Sequence, residues 1–180
     1  MVKNGFKYFY LLCVIVVIVA TFSLVGLTRN NDGYRLEDIG GKPNSPYSLQ
    51  VYTSIEKYSK QYKVPKYVAY NIAFLETRYQ GPFDWDYHGK LTSYAGAKGP
   101  MQIMPKTANY ISGKNITQKE LLHNIDLNVQ ISMKLLSKLR KQYDDWGIIC
   151  GYYNTGYPQV NDYARFCVTN KDYKKNWVEY

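Results

Sequence analysis

One glutamate occupies a helical stripe that otherwise carries apolar side chains. Over residues 65–79, a period of 3.6 places Glu76 with Ala69, Ile72, Ala73 and Tyr79. A carboxyl group in apolar surroundings keeps its proton longer than one in water, because the charged form is poorly solvated there. Near neutral pH such a group can give up a proton and later take one back. The bland alternative is a glutamate that reaches solvent at the helix end or pairs with a base, since structural ion pairs also perturb carboxylates. The stripe alone does not separate the two.

Three further segments set polar groups in unusual company. The first, residues 93–105, holds Ser93, glycines 96 and 99, and the pair Met101-Gln102. The second is Asn128, on the same helical face as Ile131, Leu135 and Leu139. The third is Tyr152-Tyr153-Asn154-Thr155-Gly156, followed by Val160. Taken singly, each has a structural explanation. The glycines serve a tight turn, Met101 fills the core, Asn128 is a satisfied amide, and residues 153–156 end a helix.

The elements that must position these groups are helical. Ser45-Pro46 reads as an N-cap followed by Pro at the first helical position, with Val51, Tyr52, Ile55, Tyr58 and Tyr62 at helical spacing behind it. Val64-Pro65 breaks this helix and starts the one that carries Glu76. Residues 80–98 form a loop rich in Gly, Asp and aromatics, and Pro105 opens a short helix through Ile111. Thr117-Gln118-Lys119-Glu120 matches a capping box. Residues 126–143 make a long helix. Residues 146–153 are apolar nearly all round, which predicts a buried helix ended by Gly156. Val160, Tyr163, Ala164 and Cys167 indicate a last amphipathic helix. No stretch alternates as a strand, so the domain is expected to be mainly α.

In order, these motifs resemble the lytic transglycosylases of the soluble-lytic-transglycosylase (SLT) type, which have a lysozyme-like fold. The family pattern is Glu-Ser-x-Phe, Gly-Leu-Met-Gln-x-Met-Pro-x-Thr-Ala, an Asn-Ile helix, and Ala-Tyr-Asn-Ala-Gly. Here it reads Glu76-Thr77-Arg78-Tyr79, residues 99–108 (Gly-Pro-Met-Gln-Ile-Met-Pro-Lys-Thr-Ala), Asn128-Val129, and Tyr152-Tyr153-Asn154-Thr155-Gly156. The resemblance spans Tyr52 to Val168. It implies a peptidoglycan enzyme in which Glu76 alone is the catalytic acid and base, forming 1,6-anhydro-muramic ends. It also implies that Met101 and Gln102 line the sugar cleft, that Tyr153 orients Glu76 or contacts the saccharide, and that Ser93 hydrogen-bonds near the intermediate. Asn128 and Asn154 are expected to fix the architecture near the site. No metal or other cofactor is implied.

Departures from the pattern leave alternatives open. Thr77 stands where serine is usual, Pro100 where leucine is, and residues 83–91 look like an insertion bearing Asp84, Asp86 and His88. A solvated loop is the plain explanation. An aspartate facing Glu76 would instead allow a hydrolytic, lysozyme-like muramidase. A non-catalytic peptidoglycan-binding scaffold is a third reading, against which an intact Glu76 argues.

The ends and composition bound the setting. Residues 8–27 are uncharged and mostly apolar, long enough to cross a bilayer. Val19-Ala20-Thr21 and Ser23-Leu24-Val25 are poor cleavage sites, which favours an uncleaved anchor over a signal sequence. The expected organisation is an N-terminal transmembrane anchor at 1–27, a flexible linker at 28–45 and the lysozyme-like domain at 46–180. Lys3 and Lys7 precede the span while Arg29 and Arg35 follow it, so charge barely orients it. A short stub before a long domain places that domain on the outer side of the cytoplasmic membrane. There it would meet peptidoglycan strands and, by analogy, a secretion, conjugation or phage apparatus. The net charge of +9 suits an anionic partner, but the lysines are scattered and no nucleic-acid motif accompanies them, so nucleic acid is not expected. Twenty tyrosines suit carbohydrate stacking, although most must serve packing. Cys150 and Cys167 are either a disulfide or two buried thiols.

Overall fold

Two proline breaks define a pair of helices, α1 (Tyr47–Tyr62) and α2 (Lys66–Thr77). In the computed structural model, which describes residue 36, residues 40–42 and residues 44–179, Pro46 and Pro65 stand at their N-terminal boundaries. Ser45 is not the N-cap expected of it. The boundary falls one residue later, and no side chain caps either helix. The expected span at residues 8–27, the anchor at 1–27 and most of the linker lie outside the described residues. Among the described residues no helix is long and apolar enough to cross a membrane.

After α2, the helices among the described residues are α3 (Pro105–Ser112), α4 (Gln118–His123), α5 (Ile125–Arg140), α6 (Trp146–Thr155) and α7 (Asp162–Thr169), followed by a 3-10 turn at Tyr173–Asn176. Their starts follow local chemistry. Thr117 and Glu120 close the capping box on α4, Asn124 accepts from Leu127 N–H, Asp145 from Gly147 and Ile148 N–H, and Asn161 from Ala164 N–H. Gly113 and Gly156 end α3 and α6 in the left-handed conformation. Pairing among the described residues amounts to isolated bridges, Thr92 with Lys98 and Lys98 with Ile103, so the domain is mainly α.

The core lies between α1, α2, α5 and α6. Val51 and Ile55 meet Val68 and Ile72, with Val129, Met133 and Leu136 from α5 and Ile149 from α6, all essentially solvent-free. Burial of each such side chain is worth roughly 1.5–3 kcal/mol. A smaller cluster of Ile103, Ala108, Ile111, Ile116, Leu121 and Ile131 seats α3 and α4 on α5. Cys150 and Cys167 are buried free thiols within the main core.

Two expectations need correction. Tyr79 is buried, but it is not on the α2 stripe: the helix ends at Thr77, and Arg78 turns left-handed at φ 60°. That reversal swings Tyr79 inward, where its hydroxyl donates to Ser48 O at 3.0 Å. Nor is α6 buried all round. Gly147, Ile149, Cys150 and Gly151 are buried, whereas Tyr152 and Tyr153 are half-buried and Asn154 and Thr155 exposed, because a groove opens along that side.

Candidate active site

Glu76 is the last residue but one of α2, and α7 runs antiparallel beside it. Asn71, one and a half turns earlier, fixes the register: its Nδ2 donates to Cys167 O at 2.9 Å and Asn170 O at 2.8 Å, and Asn170 Nδ2 donates back at 2.8 Å. Moving forward along α2 from this clamp means moving backward along α7. Tyr163 therefore arrives opposite Glu76, and its hydroxyl donates to Glu76 Oε1 at 2.7 Å. Burial raises the Glu76 pKa above the ordinary carboxylate value, and the Tyr163 hydrogen bond opposes that rise by favouring the anion. No other described carboxylate bears on it.

The second part of the site is the turn at residues 99–102, which three helices hold at once. From α2, Thr77 Oγ1 lies 3.0 Å from Pro100 O, 3.1 Å from Ala73 O and 2.7 Å from the Tyr87 hydroxyl. From α5, fully buried Asn128 accepts Met101 N–H at 3.1 Å and donates to Lys98 O at 2.8 Å and Leu121 O at 3.1 Å. From α6, the Tyr153 hydroxyl donates to Met101 O at 2.7 Å. Gly99 has φ +73°, and a Cβ there would lie 2.7 Å from Asn128 Cγ, so the turn needs glycine for both its angle and its closeness to α5. Asn128 is thus a buried amide whose three hydrogen bonds hold this turn against α5 and the Leu121 carbonyl.

The other anticipated residues are placed as follows. Met101 is fully buried in the core, and the atoms it offers the network are its backbone N–H and carbonyl. Gln102 is half-buried at φ +47°, an unusual angle for a residue with a side chain. Its Nε2 folds back to Gly99 O at 2.8 Å and Leu91 O at 3.2 Å. Ser93 closes its own turn, accepting Ala97 N–H at 3.0 Å, and no hydrogen bond joins it to Glu76. Exposed Asn154 accepts from Asn161 Nδ2 at 3.0 Å, linking the end of α6 to the start of α7. Tyr153 lies near enough for the Glu76 charge to help burial push its phenol pKa up.

The segment at 83–91 is anchored by a residue that its aspartates and histidine do not advertise. Tyr87 is buried edge-on against Tyr79, with centroids 5.1 Å apart, and its hydroxyl meets Thr77. Asp86 and His88 are exposed. Asp84 is half-buried, and desolvation raises its pKa against a hydrogen bond from the Gln80 backbone, with Asp86 adding to the rise.

Tyr163 is the partner of Glu76 that motif reading passes over. Its signal was present: a tyrosine on the apolar stripe with Ala164 and Cys167 must find a partner for its hydroxyl when buried. The partner could not be named without the register of α7 on α2.

Fold and site define a helical domain built around one shielded carboxyl group, one phenol donating to it and a second nearby. Residues 53–176, more than half of the chain, match the transglycosylase SLT domain, and the chain belongs to that family. Membership implies a transglycosylase acting on peptidoglycan and a lysozyme-like fold. No curated protein matches the chain.

Proposed function

We propose that the chain is a peptidoglycan lytic transglycosylase that cleaves the β-1,4 bond between N-acetylmuramic acid and N-acetylglucosamine and leaves 1,6-anhydro-muramic ends. The observation that carries this reading is the Glu76 carboxyl group, shielded by burial, held by Tyr163 and met by no second described carboxylate. Protonated Glu76 gives its proton to the glycosidic oxygen as the bond to C1 breaks and positive charge grows on the sugar. The resulting carboxylate, steadied by the Tyr163 hydroxyl, takes the proton of the muramic 6-hydroxyl as that oxygen closes on C1. One acid therefore serves both steps, and the departing alcohol and the new ether balance without added water. The substrate's own N-acetyl group can supply the stabilisation of the positive centre, so a second protein carboxylate is not required.

The setting follows from the sequence. The apolar run at 8–27 supports a single-pass anchor in the cytoplasmic membrane, with the domain on the wall side, where its substrate lies. Tethering would confine cutting to local opening or remodelling of the wall, as a secretion, conjugation or phage apparatus requires.

The test is the product. Purified peptidoglycan is digested with the full-length chain and with Glu76→Gln, and the muropeptides are weighed. Anhydro ends, one water lighter than reducing ends, are expected from the native chain, with turnover lower by about 10²–10⁴ in the variant. Reducing ends would replace this reading with a hydrolytic muramidase. Binding without products from either protein would replace it with a scaffold.

A further inference from the structure

A groove of about 590 Å³ runs between α3, the end of α5 and the end of α6, and it shares Tyr153 with the Glu76 site. Its chemistry is one-sided. Lys106 and Tyr110, one helical turn apart on α3, face Lys138 of α5, while Tyr152, Tyr153 and Asn154 form the other wall. No aspartate or glutamate lines it. Lys138 Nζ donates to the Tyr110 hydroxyl at 2.7 Å and lies 3.9 Å from the ring centroid. That phenol, 72% exposed, has its pKa lowered by the ammonium. Neither Lys106 nor Lys138 has a carboxylate partner among the described residues. Three lysines among the described residues pair with acids, Lys57 with Asp126, Lys66 with Glu56 and Lys175 with Asp172; Lys106 and Lys138 differ in lining one aromatic groove together with no acid in it.

Two uncompensated ammonium groups beside exposed aromatic surface suit a saccharide that carries negative charge. The aromatic faces take sugar rings, and the ammonium groups take the charge. We propose that this groove reads carboxylates appended to the glycan strand, with Lys106 and Lys138 as the specificity-determining residues and Tyr110 holding the Lys138 ammonium in place. The inference rests on the glycan-cleaving assignment above for the nature of the strand. A carboxylate could come from either of two places on a muramyl unit: the lactyl arm itself, once its peptide is removed, or the peptide attached to that arm.

The experiment measures binding of three tetrasaccharide probes to the full-length Glu76→Gln chain, whose turnover is slowed by about 10²–10⁴. One bears stem peptides, one bears free lactyl carboxylates, and one is a neutral N-acetylglucosamine tetramer. The titrations are repeated with Lys106→Gln and Lys138→Gln added singly and together. The double change is expected to weaken at least one carboxylate-bearing probe about tenfold, since a pair of exposed charge contacts is worth on the order of 1.4 kcal/mol. The neutral tetramer should be unaffected, and the difference should shrink as salt is raised. Whichever acidic probe responds identifies the source of the charge. Equal losses on all three probes, or none on any, would overturn the proposal. The enzymatic reading fails separately: charge-selective binding by a native chain that yields no anhydro product would sink the transglycosylase assignment and leave the groove assignment standing.

Discussion

The Tyr163 hydroxyl donates to Glu76 Oε1 at 2.7 Å, across two antiparallel helices whose register is locked five residues away by Asn71. This bond is the one influence that holds the Glu76 pKa down against burial. Tyr163→Phe removes the donor and leaves desolvation unopposed. The Glu76 pKa should then rise, and the alkaline limb of the pH–rate profile, which reports loss of the acid form, should move to higher pH. Hydrogen bonds to charged groups are worth roughly 1.5–3 kcal/mol, so the step that generates the carboxylate, proton donation to the glycosidic oxygen, should slow by about ten- to a hundredfold. A profile that stays in place, or moves to lower pH, would show that Tyr163 does not tune this group.

Glu76 also has a stability signature of definite sign. Its folded-state pKa lies above the unfolded value, so the native protein holds this proton more tightly than the unfolded chain does. Stability contributed by the group is full below the unfolded pKa and falls as pH rises through the folded one. Glu76→Gln keeps an acceptor for Tyr163 and removes the cost of a buried charge. Its melting temperature should exceed that of the native chain at neutral pH, by about 2–5 °C if some 1 kcal/mol is relieved. The gap should close on acidification to pH 4. A variant that melts lower at neutral pH, or a gap that widens in acid, would contradict the shielded carboxyl.

What the sequence could tell about this site depended on whether a group's role was local. Helix periods, the capping box at Thr117-Glu120 and the stop at Gly156 are set by neighbours in the chain, so they were legible. The apolar stripe found Glu76 for the same reason. Asn128 was legible as an amide on a buried face that must be satisfied, although its three partners were not. Tyr163, Tyr87 and the backbone role of Met101 depend on how helices pair, which no local pattern encodes. Tyr79 shows the limit from the other side: its spacing suggested helix, yet the left-handed Arg78 is what turns it inward.

Asn128 and Gly99 should behave as a coupled pair. Asn128→Ala strands Met101 N–H and two carbonyls in a dry site and leaves a void, a loss of about 3–5 kcal/mol in stability. Gly99→Ala adds a methyl group against the Asn128 amide at a backbone angle that disfavours it, for roughly 2 kcal/mol. In the double variant the methyl no longer meets an amide. Denaturant melts of the four proteins should therefore give a sum of single losses larger than the double loss, by at least 0.5 kcal/mol. Strict additivity would mean that the turn does not rest on Asn128.

The aspartates of the 83–91 segment provide the last discriminating test, because they are the acids that the departure from the family pattern offers for a second catalytic carboxylate. The proton affinity of Glu76 answers to burial and Tyr163, whereas Asp84 answers to its own desolvation, Gln80 and Asp86. The two carboxyl groups therefore titrate as members of separate neighbourhoods. Asp84→Asn and Asp86→Asn, singly or together, should leave the rate of peptidoglycan cleavage within about threefold and the anhydro end unchanged, as surface substitutions outside a network generally do. Tyr87→Phe supplies the contrast within the same segment. It takes the hydroxyl away from Thr77, the residue next to Glu76, and should lower both stability and turnover while leaving the product chemistry intact. Muropeptide masses and melting curves distinguish these cases. Reducing ends from a native digest would restore a hydrolytic mechanism, and loss of turnover in folded Asp84→Asn would place its second carboxylate on this loop.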